Sequence, residues 1–148
     1  MDNISWEKIA QLIKELADKI KASGFEPDYL IGITVGGFVP LALLAKELDI
    51  NRVLTASASS YDDAKKRGKL NIMHIPKVDL SDKKVLLVDE IVDSGETLRH
   101  ISKAIIHDCK ISKLKTATLA ISKGCNFKPD FYVLETDRWL VFPWERKD

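Results

Sequence analysis

Apolar residues recur at helical spacing between Ser5 and Ser23, at Ile9, Leu12, Ile13, Leu16, Ala17 and Ile20. This predicts an amphipathic helix with Ser5 capping its start and Gly24 stopping it. Pro27 turns the chain, and Tyr29–Ile33 is a short apolar run suited to a strand buried on both faces. A second helix is expected over Val39–Leu48, with Pro40 in its first turn and Leu41, Leu44, Ala45 and Leu48 on one stripe. Arg52–Ser57 reads as a strand, after which Ser60–Gly68 loses all periodicity and becomes a long polar loop. Leu70–Ile75 reads as a strand returning from that loop, Pro76 breaks the pattern, and Lys84–Val88 is a further apolar strand. Ser94–Cys109 reads as a helix with the stripe Leu98, Ile101, Ala104 and Ile105, followed by strands over Lys115–Ile121 and Phe131–Glu135. Strands alternating with helices predict an α/β domain, a mainly parallel twisted sheet with helices on both faces. Neither an internal repeat nor a long linker divides residues 1–148, so one domain is expected.

Composition narrows the function. A chain of 148 residues with 45% hydrophobic content can build a core without disulfide or metal staples. Its 23 Lys+Arg against 22 Asp+Glu give a net charge of +1, which argues against wrapping nucleic acid. Cys109 and Cys125 have neither CxxC spacing nor a His in metal-ligand register, as expected of structural thiols in a reducing compartment. Met1-Asp2-Asn3 has no basic character and no apolar run follows it, so no secretory signal is visible. No apolar run approaches the ~20 residues that span a bilayer, and a cytoplasmic location without a membrane segment is expected. His100 and His107 stand seven residues apart on a predicted helix, a surface spacing with no organising chemistry.

The chemistry concentrates in Val85–Thr97. Val85-Leu86-Leu87-Val88 forms a strand, Asp89 and Glu90 sit at its carboxyl end, and Ser94-Gly95-Glu96-Thr97 opens a helix. Ligands of open α/β sheets bind at the carboxyl ends of strands, and the free amides of a helix N-terminus hold anions. Gly95 lets the backbone approach a phosphate, to which the hydroxyls of Ser94 and Thr97 can donate. Three acids beside such a site need something cationic or hydroxyl-bearing between them and the phosphate; a sugar diol with Mg²⁺ meets that need.

The thirteen residues from Val85 to Thr97 resemble the phosphoribosyl-pyrophosphate signature of the type I phosphoribosyltransferases. An acidic pair or an SGxT turn alone would be unremarkable; their ordered combination is specific. The resemblance implies that Asp89 and Glu90 hold the ribose hydroxyls, directly or through Mg²⁺, that Ser94–Thr97 cradle the 5-phosphate, and that Asp93 accepts a proton near N7 of a purine. Thr34-Val35-Gly36-Gly37, between a strand and a helix, resembles the family's pyrophosphate loop, where successive amides can form an anion nest. Val35 departs from the pattern, since relatives usually carry Arg or Lys there. Ser60-Tyr61 and the basic run to Lys69 resemble the mobile loop that closes over the substrates, with Arg67 as the cation for the departing pyrophosphate. A solvated charge run is the plainer reading of the same residues.

Ser122-Lys123-Gly124 and Thr136-Asp137-Arg138-Trp139-Leu140 resemble the base site of the xanthine–guanine phosphoribosyltransferases. The resemblance implies that Lys123 reaches the 6-oxo group, that Trp139 stacks on the base, and that the backbone at Leu140 meets the 2-substituent. A lysine ammonium only donates, which favours a carbonyl over the exocyclic amine of adenine. Trp144 is expected in the core, and Trp6 packs where the first helix begins. The expected whole is a type I phosphoribosyltransferase fold with a small C-terminal hood, transferring phosphoribosyl to N9 of guanine, xanthine or hypoxanthine. A homo-oligomer, dimer or tetramer, is expected from the same resemblance. The rivals are a non-catalytic sensor of a nucleotide or phosphoribosyl pyrophosphate on this fold, and a flavodoxin-like or response-regulator domain.

Overall fold

The computed structural model describes residues 2–60 and 70–146. Its first helix, α1 (Trp6–Ser23), starts and stops where the sequence indicates: Ser5 accepts the Lys8 amide at 3.1 Å, and Gly24 takes the left-handed conformation at φ 82°. The strands in chain order are β1 (Asp2–Asn3), β2 (Tyr29–Thr34), β3 (Val53–Ser60), β4 (Leu70–His74), β5 (Lys84–Val92), β6 (Lys113–Ser122), β7 (Leu134–Thr136) and β8 (Leu140–Val141). Helix α2 (Phe38–Leu48) follows β2, α3 (Glu96–Asp108) follows β5, and a short 3₁₀ turn covers Pro143–Glu145.

Six strands form one sheet in the order β4-β3-β2-β5-β6-β7, all neighbours parallel except the β3–β4 pair at the edge. Alternation along β5 separates two cores. Leu86 and Val88 join Leu30 beneath α1 and α2, whereas Val85 and Leu87 join Ile31 and Ile33 beneath α3. This is the doubly covered parallel sheet that the alternating pattern predicts. On α3 the stripe holds Ser102 where Ala104 was expected; Ser102 is buried and Ala104 only half-buried. The Cys109 thiol is buried and donates to the Pro76 carbonyl at 3.2 Å, a structural role; burial pushes it above the ordinary thiol range.

Two departures from the sequence reading shape the site. β5 runs on past Val88 to Val92 because β6 continues beside it, pairing Asp89 with Thr118 and Val92 with Ile121. Asp89 and Glu90 therefore belong to the strand. The second departure is at the chain's ends, where the hood is built from both: β1 pairs with β8 in parallel, and the Asp2 and Ile4 amides donate to the Trp139 and Val141 carbonyls, each at 2.8 Å. Arg138 adds an ion pair to Asp2 at 3.2 Å. The segment Phe131–Glu135 contributes only a single bridge from Phe131 to Ala117 before β7 begins at Leu134.

Close backbone approach fixes the turn from β2 into α2. A Cβ on Gly37 would lie 2.4 Å from the Ile33 carbonyl oxygen and 3.1 Å from that of Val88, and main-chain atoms of two central strands have no room to yield. Gly37→Ala is therefore expected to lower stability by about 1–3 kcal/mol. Urea unfolding should show this as a lower midpoint at unchanged slope.

Candidate active site

Two cavities open at the carboxyl edge of the sheet. The first, of about 250 Å³, is walled by the end of β5 and the turn into α3: Asp89, Glu90, Asp93, Ser94, Gly95 and Thr97, with Thr34 and Gly36 from the facing loop. Gly95 holds the turn at φ 102°, and a Cβ there would meet Phe127 at 2.6 Å, so the left-handed conformation and the packing both demand glycine. Ser94 Oγ accepts the Glu96 amide at 3.2 Å, and the helix begins at Glu96 with Gly95 as its cap, two residues later than the sequence suggests. Gly36 lies against Glu90 so closely that a Cβ would sit 1.5 Å from its Oε2. The loop and the acidic strand end thus form one continuous wall.

Asp89 is buried, with its Oδ1 accepting the Glu90 amide at 2.9 Å. Desolvation, and then the adjacent Glu90 carboxylate, push its carboxyl well above the ordinary value of 3.8. Among the described residues no ammonium or guanidinium forms an ion pair with it. A buried carboxylate with a second one beside it and no cationic partner suits a divalent cation. Among the described residues no three His, Cys, Asp or Glu side chains gather as a metal cage. Two carboxylates with the remaining positions left to water and substrate oxygens is the usual arrangement for Mg²⁺.

The second cavity, of about 190 Å³, lies under the hood between Ser122 at the end of β6 and Arg138, Trp139, Leu140, Phe142 and Glu145. It shares Glu90, Ile91 and Asp93 with the first. Trp139 is 70% exposed, which leaves its ring face free at the rim. Phe142 is buried and stacks on half-buried Trp144 at 4.8 Å between centroids, and Trp144 meets Trp6 at 6.0 Å. Trp144 packs against the edge of the core and not within it, and Trp6, at the start of α1 as expected, remains 53% exposed. Desolvation, and secondarily Glu90, raise the Glu145 carboxyl above its ordinary range.

Most of the residues singled out from sequence converge here, and some do not. The Glu96 side chain turns along α3 to Arg99 at 2.9 Å and His100 at 3.0 Å, which also gives His100 a partner. Those contacts hold the Glu96 carboxyl below its ordinary range. Val35 is 78% exposed and lies outside the wall of the first cavity. The nest is narrower than expected, since the Gly37 amide donates to Ile33 at 2.8 Å and that of Phe38 to Val35 at 3.0 Å, leaving at most the amides of Val35 and Gly36 for a ligand. Lys123 is exposed just beyond Ser122, its amide bonded to the Thr136 carbonyl at 2.9 Å. Ser60 ends β3, while Tyr61 and Arg67 lie outside the described residues. Ser122 and Arg138 stood in the base-site segments without a role, and Phe142 and Glu145 were not singled out; the register of β6 and the folding of the hood bring all four to the lining.

Two adjoining cavities at the carboxyl edge of a parallel sheet accord with a phosphoribosyltransferase, and the chain belongs to that family: the phosphoribosyl transferase domain matches residues 4–147. Among relatives, the chain is 33% identical over 144 residues to the xanthine-guanine phosphoribosyltransferase of Desulfotalea psychrophila, covering 96% of this chain and 84% of that one. The structure is similar to a purine phosphoribosyltransferase from Pyrococcus horikoshii, with a TM-score of 0.86, 31% identity, and coverage of 99% of this chain and 95% of that one. It is also similar to the xanthine-guanine-hypoxanthine phosphoribosyltransferase of Helicobacter pylori, with a TM-score of 0.88, 28% identity, and coverage of 97% and 93%. Among the described residues no helix is long and apolar enough to cross a membrane.

Proposed function

We propose that the enzyme transfers phosphoribosyl from phosphoribosyl pyrophosphate to N9 of a 6-oxopurine in the presence of Mg²⁺. The observation that carries this reading is the shared wall: a phosphate-suited cleft and an aromatic-rimmed pocket meet at Asp93. In this reading the turn at Ser94, Gly95 and Thr97 holds the 5-phosphate, and Asp89 and Glu90 hold the ribose hydroxyls and the metal. When bound, Mg²⁺ supplies positive charge to the leaving pyrophosphate. The base, seated against Trp139, presents N9 to C1 of the ribose; the N9–C1 bond forms as the C1–oxygen bond breaks with its electron pair on pyrophosphate. The proton at N7 passes to Asp93. No covalent enzyme intermediate is needed, because holding the base, the ribose and the leaving group in line supplies the catalysis. In the same reading Arg67 supplies a cation to the leaving group, and the enzyme works in the cytoplasm as a dimer or tetramer.

Base specificity tests it. Guanine, xanthine and hypoxanthine should each give a nucleotide, and adenine should not. Trp139→Ala should raise the KM for the base by about 5- to 150-fold, the range that ~1–3 kcal/mol of stacking represents. Lys123→Ala should reduce discrimination against adenine at an unchanged KM for phosphoribosyl pyrophosphate. If neither variant alters base use, the hood pocket is not the base site.

A further inference from the structure

We infer that Ser122 is a positioning residue for the proton acceptor of the reaction, acting through a hydrogen bond from its hydroxyl to the Asp93 carboxylate. The inference rests on the assignment of Asp93 proposed above, and its geometry follows from the sheet. Because Val92 pairs with Ile121 in the β5–β6 ladder, the next residue on each strand emerges side by side at the carboxyl edge. These residues are Asp93 and Ser122, and Ser122 Oγ donates to Asp93 Oδ1 at 3.1 Å. Asp93 itself is exposed on the connection to α3. The Ser94 carbonyl beside it accepts the Asn126 amide at 2.9 Å, which anchors the main chain but leaves the carboxylate free to rotate. Among the described residues no other side chain bonds to Asp93, so the serine hydroxyl is its anchor. Both residues line the hood pocket, and Asp93 alone of the two also lines the phosphate cleft.

Holding Oδ1 in this way fixes the rotation of the carboxylate about its side-chain bonds. Oδ2 then stays available to accept the N7 proton. A base that arrives at a swinging carboxylate would bind equally well, yet it would find the acceptor in place only part of the time. The loss on removing the hydroxyl therefore falls on kcat, not on binding.

Ser122→Ala should lower kcat with guanine by about 10- to 150-fold, the range expected for a hydrogen bond to a charged group. The KM for phosphoribosyl pyrophosphate should stay within about twofold, and Ser122→Thr, which keeps the hydroxyl, should restore most of the rate. Inhibition by 7-deazaguanine, which has no N7, should be the same in the wild type and Ser122→Ala. A Ser122→Ala enzyme with full kcat overturns the positioning role. So does a loss of 7-deazaguanine inhibition as large as the loss of kcat, since the hydroxyl would then only shape the pocket. Asp93→Asn measured alongside separates the two readings. Full activity in that variant means the assignment of Asp93 itself is wrong, whereas an inactive Asp93→Asn beside a fully active Ser122→Ala removes only the role of Ser122.

Discussion

Asp93→Asn should fold like the wild type and lose about 10²- to 10⁴-fold in kcat, the range for removal of a general base. The fold is expected to tolerate the change because Asp93 is exposed, and an amide oxygen can still accept the Ser122 hydroxyl that now reaches Oδ1 at 3.1 Å. What the amide cannot do is take a proton at neutral pH. KM values for both substrates should therefore change far less than kcat. Steady-state kinetics with guanine, checked by circular dichroism for folding, would show this split. A variant that binds both substrates poorly at unchanged kcat would mean that Asp93 contributes to binding and takes no part in proton transfer.

A second large effect is expected at Asp89, and there it runs in opposite directions for activity and stability. Asp89→Asn should reduce kcat/KM for phosphoribosyl pyrophosphate by about 10²- to 10³-fold, as for the loss of one fixed electrostatic partner of the transition state. It should also raise Tm in the absence of divalent cations, by about 2–4 °C for each kcal/mol of desolvation relieved. The folded carboxyl titrates well above its ordinary value of 3.8, so the native state holds its proton more tightly than the unfolded chain does. The associated stability is present below the unfolded value and is lost as pH rises from there through the folded pKa. The Tm advantage of Asp89→Asn should accordingly grow as pH is raised from acid toward neutral, and shrink when Mg²⁺ is added to the wild type. Differential scanning calorimetry of both proteins, with and without Mg²⁺, measures it. A Tm difference that does not depend on pH would show that the wild-type carboxylate carries no uncompensated charge.

Much of this was legible in the sequence because local chemistry and tertiary structure agree there. Ser5 and Gly24 bound α1 by side-chain capping and a left-handed turn, both local effects. The apolar run before Asp89 reads as a strand and is one, and the acids, glycine and hydroxyls that carry the family resemblance line the first cavity. What escaped depends on distant pairing. Two-residue strands such as Asp2–Asn3 and Leu140–Val141 have no periodicity to detect, and they exist only because the chain's ends meet. The extension of β5 through Val92 comes from its partner β6, as does the placing of Ser122 beside Asp93. The Gly37 amide stood in a sequence suited to an anion nest, yet the tight turn into α2 uses it internally. Glu96 belonged to a convincing motif, but Arg99 and His100 one helical turn away draw its side chain aside.

On the proposed mechanism the cleft at Asp89–Thr97 and the pocket beneath Trp139 form one catalytic centre and do not merely bind a nucleotide or phosphoribosyl pyrophosphate. Mixing the purified protein with Mg²⁺, phosphoribosyl pyrophosphate and guanine, and quantifying nucleotide and pyrophosphate together by chromatography, tests it directly. A single catalytic centre should give equimolar nucleotide and pyrophosphate over many turnovers, with neither product when the base is omitted. Tight binding of phosphoribosyl pyrophosphate or of the nucleotide, with no pyrophosphate released in the presence of any 6-oxopurine, would contradict it.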